Sequence, residues 1–337
     1  MRLTMQTDSA GYNIILERGC IRQISSFINL NRKVFILTDQ NIPDHWIDMV
    51  KKQCPHSMVY RVDGGEDSKS MKTYEEVLTA CLNFHLSRKD LIIALGGGVI
   101  GDLGGFVAAS YMRGIDFMSI PTTTLSQIDS SIGGKTAINL GKVKNIVGAF
   151  YHPKLVLIDF DTLSTLPERQ KINGLAEAIK AGLIRDPELF ALFEKEDYED
   201  HLEEIVYRSL CMKRDVVQQD EKESGLRKLL NFGHTIGHGI ETYYGLEKYL
   251  HGESITMGMF YFINSKELKE RLKKICLRMG LPITDDYDIK KVYEITTMDK
   301  KASGGMISTV WVDEPGKAYI KELPLTELYT LLEKGPI

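Results

Sequence analysis

The sequence predicts an α/β N-terminal domain built on a parallel, Rossmann-like sheet, followed by a largely α-helical C-terminal domain that can hold a metal. Three observations predict it. Five short β-branched runs alternate with helical stretches in the first half of the chain. The pattern turns helical after Asp161. Histidines and a glutamate of metal-ligand type then fall within the helical part. The expected domains are residues 1–160 and 161–337.

At 337 residues the chain can bury two cores. A net charge of −4 gives no overall pull toward nucleic acid or an anionic membrane. No apolar run approaches the ~20 residues of a membrane span, and the N-terminus lacks the apolar core of a signal peptide. Five scattered cysteines, never in C-x-x-C spacing, fit a reducing cytoplasm with neither disulfides nor a thiolate zinc site.

The strands come first. "KVFILTD", "HSMVYRVDGG", "DLIIALGGG", "DFMSIPTT" and "KLVLIDF" each carry Asp, Gly or Thr at or just before their ends. Strands interleaved with helices predict a parallel sheet, with ligands at the strand C-terminal ends. In "LIIALGGGVIGDLGG", Gly96, Gly98 and Gly101 match G-x-G-x-x-G. Glycines there allow close backbone approach to a pyrophosphate at a helix N-terminus. The alternative is a turn required only for strand–helix packing. Asp116 opens the next strand, the wrong end for a ribose hydroxyl. Asp39 and Asn41 after the first strong strand, and Glu66 and Lys69 after the next, each read alone as turns. Three such turns at successive strand ends predict a nucleotide-binding rim.

From Ile120 to Phe150 the chain is polar and glycine-rich, with Asp129, Lys135, Lys142, Lys144 and Asn145, and Arg113 just upstream. Such a density of ammonium, amide and hydroxyl groups suits a small anionic ligand. The alternative is a solvated lysine loop.

The helical half follows. "GLAEAIKAG" puts Glu177 and Lys180 on one helical face among small apolar residues. The competing readings are a surface ion pair and a buried carboxylate that needs a partner or a metal. "LRKLLNFGHTIGHGIE" reads as one helix with Arg227, Asn231, His234 and His238 on a single stripe. "HGES" adds His251. Glu177, His234, His238 and His251 are four ligands of the right chemistry for Zn²⁺, where a catalytic site commonly uses three. Spacing does not choose among them, nor does it exclude a hydrogen-bonded histidine pair.

The runs "GGGVIGDLGGFVAASYMRGIDFMSIPTTTLSQIDSSIGGKT", "GKVKNIVGAFYHPKLVLID", "TLPERQKINGLAEAIKAGLI", "GLRKLLNFGHTIGHGIE", "HGESITMGM" and "MDKK" closely resemble the 3-dehydroquinate synthase family of sugar-phosphate cyclases. The resemblance extends nearly end to end. It implies an NAD-binding α/β domain, a helical metal domain holding Zn or Co, and a cytoplasmic homodimer. It assigns the metal to Glu177, His234 and His251. NAD-contacting positions fall on Asp39, Asn41, Glu66, Lys69, Gly97, Gly98, Val99, Asp102, Thr122, Thr123, Leu125, Ser126, Lys135, Lys144, Thr165 and Leu166. Substrate positions fall on Asp129, Lys135, Lys144, Asn145, Lys180, Lys213, Arg227, Asn231, His238 and Lys301, with Lys300 adjacent. Arg113 resembles an arginine supplied by a neighbouring subunit.

The implied substrate is 3-deoxy-D-arabino-heptulosonate 7-phosphate. The implied reaction is transient oxidation, phosphate β-elimination, reduction, ring opening and aldol closure to 3-dehydroquinate. Competing readings are a paralogous cyclase making inosose or valiolone units, a metal-dependent polyol dehydrogenase, and a non-catalytic NAD-sensing protein.

Overall fold

The computed structural model of the chain describes residues 1–141, 143–245, 248–298 and 305–336. Lys301, expected at the substrate, lies outside the described residues, as do Lys142 and Lys300. The chain divides into two compact units, Met1–Pro167 and Glu168–Ile337. The break falls at Pro167, beyond the expected one after residue 160. The 3-10 turn Phe160–Thr165 stays with the first unit because Trp46 Nε1 donates to Thr165 Oγ1 at 3.1 Å.

The first unit contains β1 (Arg2–Gln6), β2 (Gly11–Leu16), β3 (Lys33–Asp39), α1 (Asp44–Lys51), β4 (His56–Val62), α2 (Met71–Asn83), β5 (Leu91–Gly96), α3 (Gly98–Ser110), β6 (Asp116–Pro121), β7 (Lys135–Leu140), β8 (Val143–Phe150) and β9 (Leu155–Ile158). Its seven-stranded sheet runs β1-β2-β9-β6-β5-β3-β4. Every neighbouring pair is parallel except the edge hairpin of β1 with β2. The period-2 alternation of side chains gives each central strand two apolar faces. Val34, Ile36, Ile93 and Leu95 join a core with Trp46, Ile47 and Val50 of α1. Phe35, Leu37, Ile92 and Ala94 join another with Val77 of α2 and Ile100, Leu103 and Val107 of α3. The five strands read from the sequence are β3, β4, β5, β6 and β9.

The polar stretch after Pro121 departs from a plain loop. It forms a π-helical turn at Ser126–Ser130 and then the antiparallel hairpin of β7 with β8. That hairpin packs against α3, where Gly105 leaves room for Thr136: a Cβ there would lie 2.3 Å from the Thr136 methyl.

The second unit contains α4 (Glu168–Ile184), α5 (Pro187–Glu194), α6 (Leu202–Gln219), α7 (His234–Tyr243), α8 (His251–Tyr261), α9 (Lys266–Met279), α10 (Ile289–Thr297), the hairpin β10 (Met306–Val312) with β11 (Ala318–Pro324), and α11 (Leu325–Lys334). Side-chain caps mark several helix starts: Asp186 accepts from Leu189 N, Ser265 from Leu268 N and Asp288 from Lys291 N. Among the described residues, no helix is long and apolar enough to cross a membrane.

One expected element is not continuous. Residues 226–231 form a 3-10 turn, Phe232 is extended, and Gly233 adopts φ 78° before α7 begins. Arg227 and Asn231 therefore do not share a helical stripe with His234 and His238. The break is steric as well as conformational. A Cβ on Gly233 would stand 2.8 Å from the Ile255 carbonyl oxygen of α8. Only a glycine there tolerates both the left-handed φ and that approach.

Candidate active site

In the first unit, the expected cofactor residues gather at the C-terminal ends of parallel strands, where doubly wound sheets bind ligands. Asp39 ends β3, and its carboxylate accepts the Asn41 N–H at 2.7 Å. Burial raises the Asp39 carboxyl pKa, opposed by the hydrogen bonds from Asn41. Beyond β4, Lys69 is 3% exposed. Its Nζ donates to Asp102 at 2.7 Å and to Asn145 Oδ1, and lies 3.5 Å from Glu66. Four expected residues thus form one polar knot.

Asn139, which sequence reading passed over, ties that knot to the β7–β8 hairpin. Its N–H donates to the Lys69 carbonyl at 2.7 Å, its Nδ2 donates to Glu66 at 2.9 Å, and its Oδ1 accepts the Asn145 N–H at 2.9 Å. Asn145 is held at φ 55°.

The glycine turn follows β5. Gly97 is the N-cap of α3 and brings no capping side chain to that helix end. A Cβ on Gly97 would meet the Thr123 methyl at 2.9 Å, whereas one on Gly101 would meet nothing within 4 Å. Packing thus explains Gly97 but not Gly101. Gly98 and Val99 open the helix. After β6 come Thr122, whose buried hydroxyl has no hydrogen bond, and Thr123, whose hydroxyl lies 2.8 Å from that of Ser126. Leu125 lies between them, and Thr165 and Leu166 close the turn after β9.

Asp129 sits in the π-helical turn, Lys135 opens β7, and Lys144 and Asn145 lie on β8. Arg113, exposed and at φ 66°, precedes β6 and so lies at the opposite end of that strand from Thr122. Asp116 serves structure, pairing with Arg32 at 2.6 Å.

In the second unit, Glu177 and Lys180 of α4 are both buried, each 3% exposed, and their charges pair through Glu177 Oε2. Lys180 also donates to the Leu230 carbonyl at 2.7 Å. Glu177 Oε1 makes no hydrogen bond. It faces His234 Nε2 and His251 Nε2, each at 3.7 Å. Each of these rings offers Nδ1 to an acceptor on its far side: His234 to the Phe232 carbonyl at 3.1 Å, His251 to Glu241 at 3.2 Å.

His238 joins the cluster. The three imidazoles bring one nitrogen each within 4.8 Å of one another. Burial above all, with the Lys180 ammonium and the neighbouring imidazoles, holds His234 well below the usual histidine range and keeps it neutral. Burial pulls His251 down too, but the Glu241 hydrogen bond and the charges of Glu177 and Glu241 outweigh it and raise its pKa.

Glycines bring the helices that carry this cluster together. A Cβ on Gly258 of α8 would fall 2.0 Å from the Gly233 carbonyl oxygen, and one on Gly252 2.0 Å from that of Asn173 on α4. Asn173 Oδ1 also accepts the Gly252 N–H at 2.6 Å, and Glu253 pairs with Arg169 at 2.7 Å. These contacts fix the start of α8, and with it His251, against α4.

The residues fit a divalent ion. Donors about 2.0–2.1 Å from a tetrahedral ion stand roughly 3.3 Å apart. A spacing of 3.7 Å is close to that and too long for a hydrogen bond. A buried carboxylate oxygen without a hydrogen bond, facing two neutralisable imidazoles, is the expected signature.

Nearby, Arg227 is buried at 2% exposure and donates through Nη1 to the Glu221 carbonyl. Asp220 accepts the N–H groups of Ser224, Gly225 and Arg227 at 2.7–2.9 Å. Asn231 donates to Glu223 at 2.8 Å, with Glu223 at φ 62°. Lys213 of α6 is buried as well.

Two sequence families match in tandem: 3-dehydroquinate synthase N-terminal over residues 59–173, and 3-dehydroquinate synthase C-terminal over residues 174–302. A curated relative, the 3-dehydroquinate synthase of Clostridium botulinum (strain Alaska E43 / Type E3), is 41% identical over 343 residues, covering 95% of this chain and 97% of the relative. Among solved structures, 2-deoxy-scyllo-inosose synthase complexed with carbaglucose-6-phosphate, NAD⁺ and Co²⁺ superposes at TM-score 0.90 with 23% identity, covering 99% of this chain and 100% of that one. The 2-epi-5-epi-valiolone synthase of Streptomyces hygroscopicus subsp. jinggangensis 5008, solved with NAD⁺ and Zn²⁺, superposes at 0.87 with 25% identity, covering 98% and 99%. Those two share the fold; the tandem family match and the near full-length 41% identity carry the assignment. The chain belongs to the 3-dehydroquinate synthase family.

Proposed function

We propose that this chain converts 3-deoxy-D-arabino-heptulosonate 7-phosphate to 3-dehydroquinate and phosphate. The observation that carries this reading is the 41% identity to the Clostridium synthase over 95% of the chain. When bound, a divalent ion (Zn or Co) supplies Lewis-acid polarisation and NAD a reversible hydride acceptor. Glu177, His234 and His251 hold the ion. Asp39, Asn41, Glu66, Lys69, Asp102 and the glycine turn hold the nucleotide.

The remaining residues bind and orient the substrate. It carries a carboxylate and a phosphate, and Lys135, Lys144, Lys180, Lys213 and Arg227 supply the opposing charge. Asp129, Asn145, Asn231 and His238 supply hydrogen bonds to its hydroxyls. His238, the exposed member of the histidine cluster, is suited to substrate contact and proton movement. The chain's chief contribution is placement and charge stabilisation.

Arg113 acts on the substrate of a second copy, so the active form is a homodimer. Its position away from its own strand-end rim supports this. So do Leu140, Val143, Ile146 and Phe150, apolar and 48–61% exposed on one hairpin. The enzyme works in the cytoplasm; its cysteines are free, four of the five buried.

The test is product identity. Metal-loaded protein with NAD and the heptulosonate phosphate forms 3-dehydroquinate. Turnover only of the sugar phosphates that yield inosose or valiolone would place the chain with the paralogous cyclases instead.

A further inference from the structure

Glu241 lies two turns along α7 from His234 and is 7% exposed. Its Oε2 is 3.2 Å from His251 Nδ1, while His251 Nε2 looks the other way, 3.7 Å from Glu177 Oε1. A neutral imidazole carries one N–H. A carboxylate at hydrogen-bond distance accepts it, so Nδ1 bears the hydrogen and Nε2 keeps its lone pair toward Glu177. His234 reaches the same state with a neutral partner, the Phe232 carbonyl. The two metal-facing histidines therefore have different supports: a backbone dipole behind one, a full charge behind the other.

We propose that Glu241 is a positioning residue of the metal centre, fixing the tautomer and ring orientation of His251 and strengthening it as a ligand. This rests on the reading of Glu177, His234 and His251 as a metal site. Carboxylates behind ligating histidines orient the ring and raise its basicity. The backbone around His251 is anchored independently, through Asn173 to Gly252 and through Glu253 to the Leu250 N–H at 2.8 Å. Loss of Glu241 therefore releases the ring and leaves the helix start in place.

The experiment compares wild type, Glu241→Gln and Glu241→Ala as full-length apoproteins titrated with Co²⁺ and with Zn²⁺ against a competing chelator. Co²⁺ absorption bands report ligand geometry without any turnover. The glutamine amide oxygen still accepts the Nδ1 hydrogen but lacks the charge. The expected order of affinity is wild type, then Gln, then Ala, with Ala weaker by about 10–100-fold. The Co²⁺ bands change in Ala and persist in Gln. Metal-free melting temperatures are expected to vary little, whereas a merely structural role would lower them and leave affinity alone. Wild-type affinity in either variant overturns the positioning role and leaves the metal site standing. Failure of the wild type itself to bind either ion overturns both. If the alanine protein does not fold, the Gln variant decides alone.

Discussion

Glu177 Oε1 stands 3.7 Å from His251 Nε2, with no hydrogen bond of its own, although it is buried. The same oxygen faces His234 Nε2 at the same distance. Three donors converge on one point, and removing one should empty it. His251→Ala is expected to lose bound Zn²⁺ on gel filtration. His238→Ala, on the exposed side of the cluster, is expected to keep the metal and lose turnover by orders of magnitude. Metal analysis of both proteins decides. Loss of metal from both would make His238 a ligand.

The Lys69 ammonium neutralises Asp102 and contacts Asn145 and Glu66. Lys69→Met leaves the Asp102 and Glu66 carboxylates without that ammonium. Hydrogen bonds to charged groups contribute about 1.5–3 kcal/mol each. NAD⁺ affinity should therefore fall at least about tenfold, with metal content unchanged. Titration of intrinsic fluorescence with NAD⁺ measures it, and unaltered affinity would remove Lys69 from the nucleotide rim.

Gly258 sets how closely α8 approaches the turn before α7. A methyl group there would sit 2.0 Å from the Gly233 carbonyl oxygen. Gly258→Ala must push the two helices apart, and overpacking of this kind costs about 1–3 kcal/mol. His234 and His251 ride on those helices, so the melting temperature and Zn²⁺ affinity should fall together. A variant that lowers one without the other would uncouple the packing from the site.

Acid sensitivity should trace partly to Asp220. Burial pushes its carboxyl up, but hydrogen bonds from Arg227, Gly225 and Ser224 outweigh it and hold the pKa well below the ordinary value. A depressed folded pKa gives stability that is present above the unfolded pKa of about 3.9 and lost as pH falls below it. Asp220→Asn should be less stable than wild type at neutral pH, and the gap should narrow as pH drops toward 3. Urea midpoints across that range measure it. Parallel curves would mean that the carboxylate contributes nothing specific.

The sequence revealed the centre of the first unit because β3, β5, β6 and β9 are apolar runs buried on both faces. The hairpin of β7 with β8 escaped because β8, with Lys144 and Asn145, is exposed along most of its length, and the buried face of β7 amounts to only Thr136 and Ile138. The helix expected through residues 226–241 failed at Gly233, where helical spacing continues in the letters but the backbone turns left-handed. That glycine, following an aromatic residue and preceding the histidines, was the available signal. The members of the metal cluster were legible as residue types. Which of them face one another was not, because Glu177 and His251 meet only through packing of α4, α7 and α8. Asn139 and Glu241 were missed for the same reason: their partners lie across loops, and neither residue type is unusual where it stands.

The most direct measurement is the phosphate released per NAD. Metal-loaded protein is supplied with heptulosonate phosphate and NAD⁺ far below the substrate concentration, while phosphate and the 340 nm absorbance of NADH are followed together. The account predicts many equivalents of phosphate per NAD, matched by 3-dehydroquinate, with no net NADH. NADH accumulating in step with substrate loss, or no phosphate at all, would contradict it.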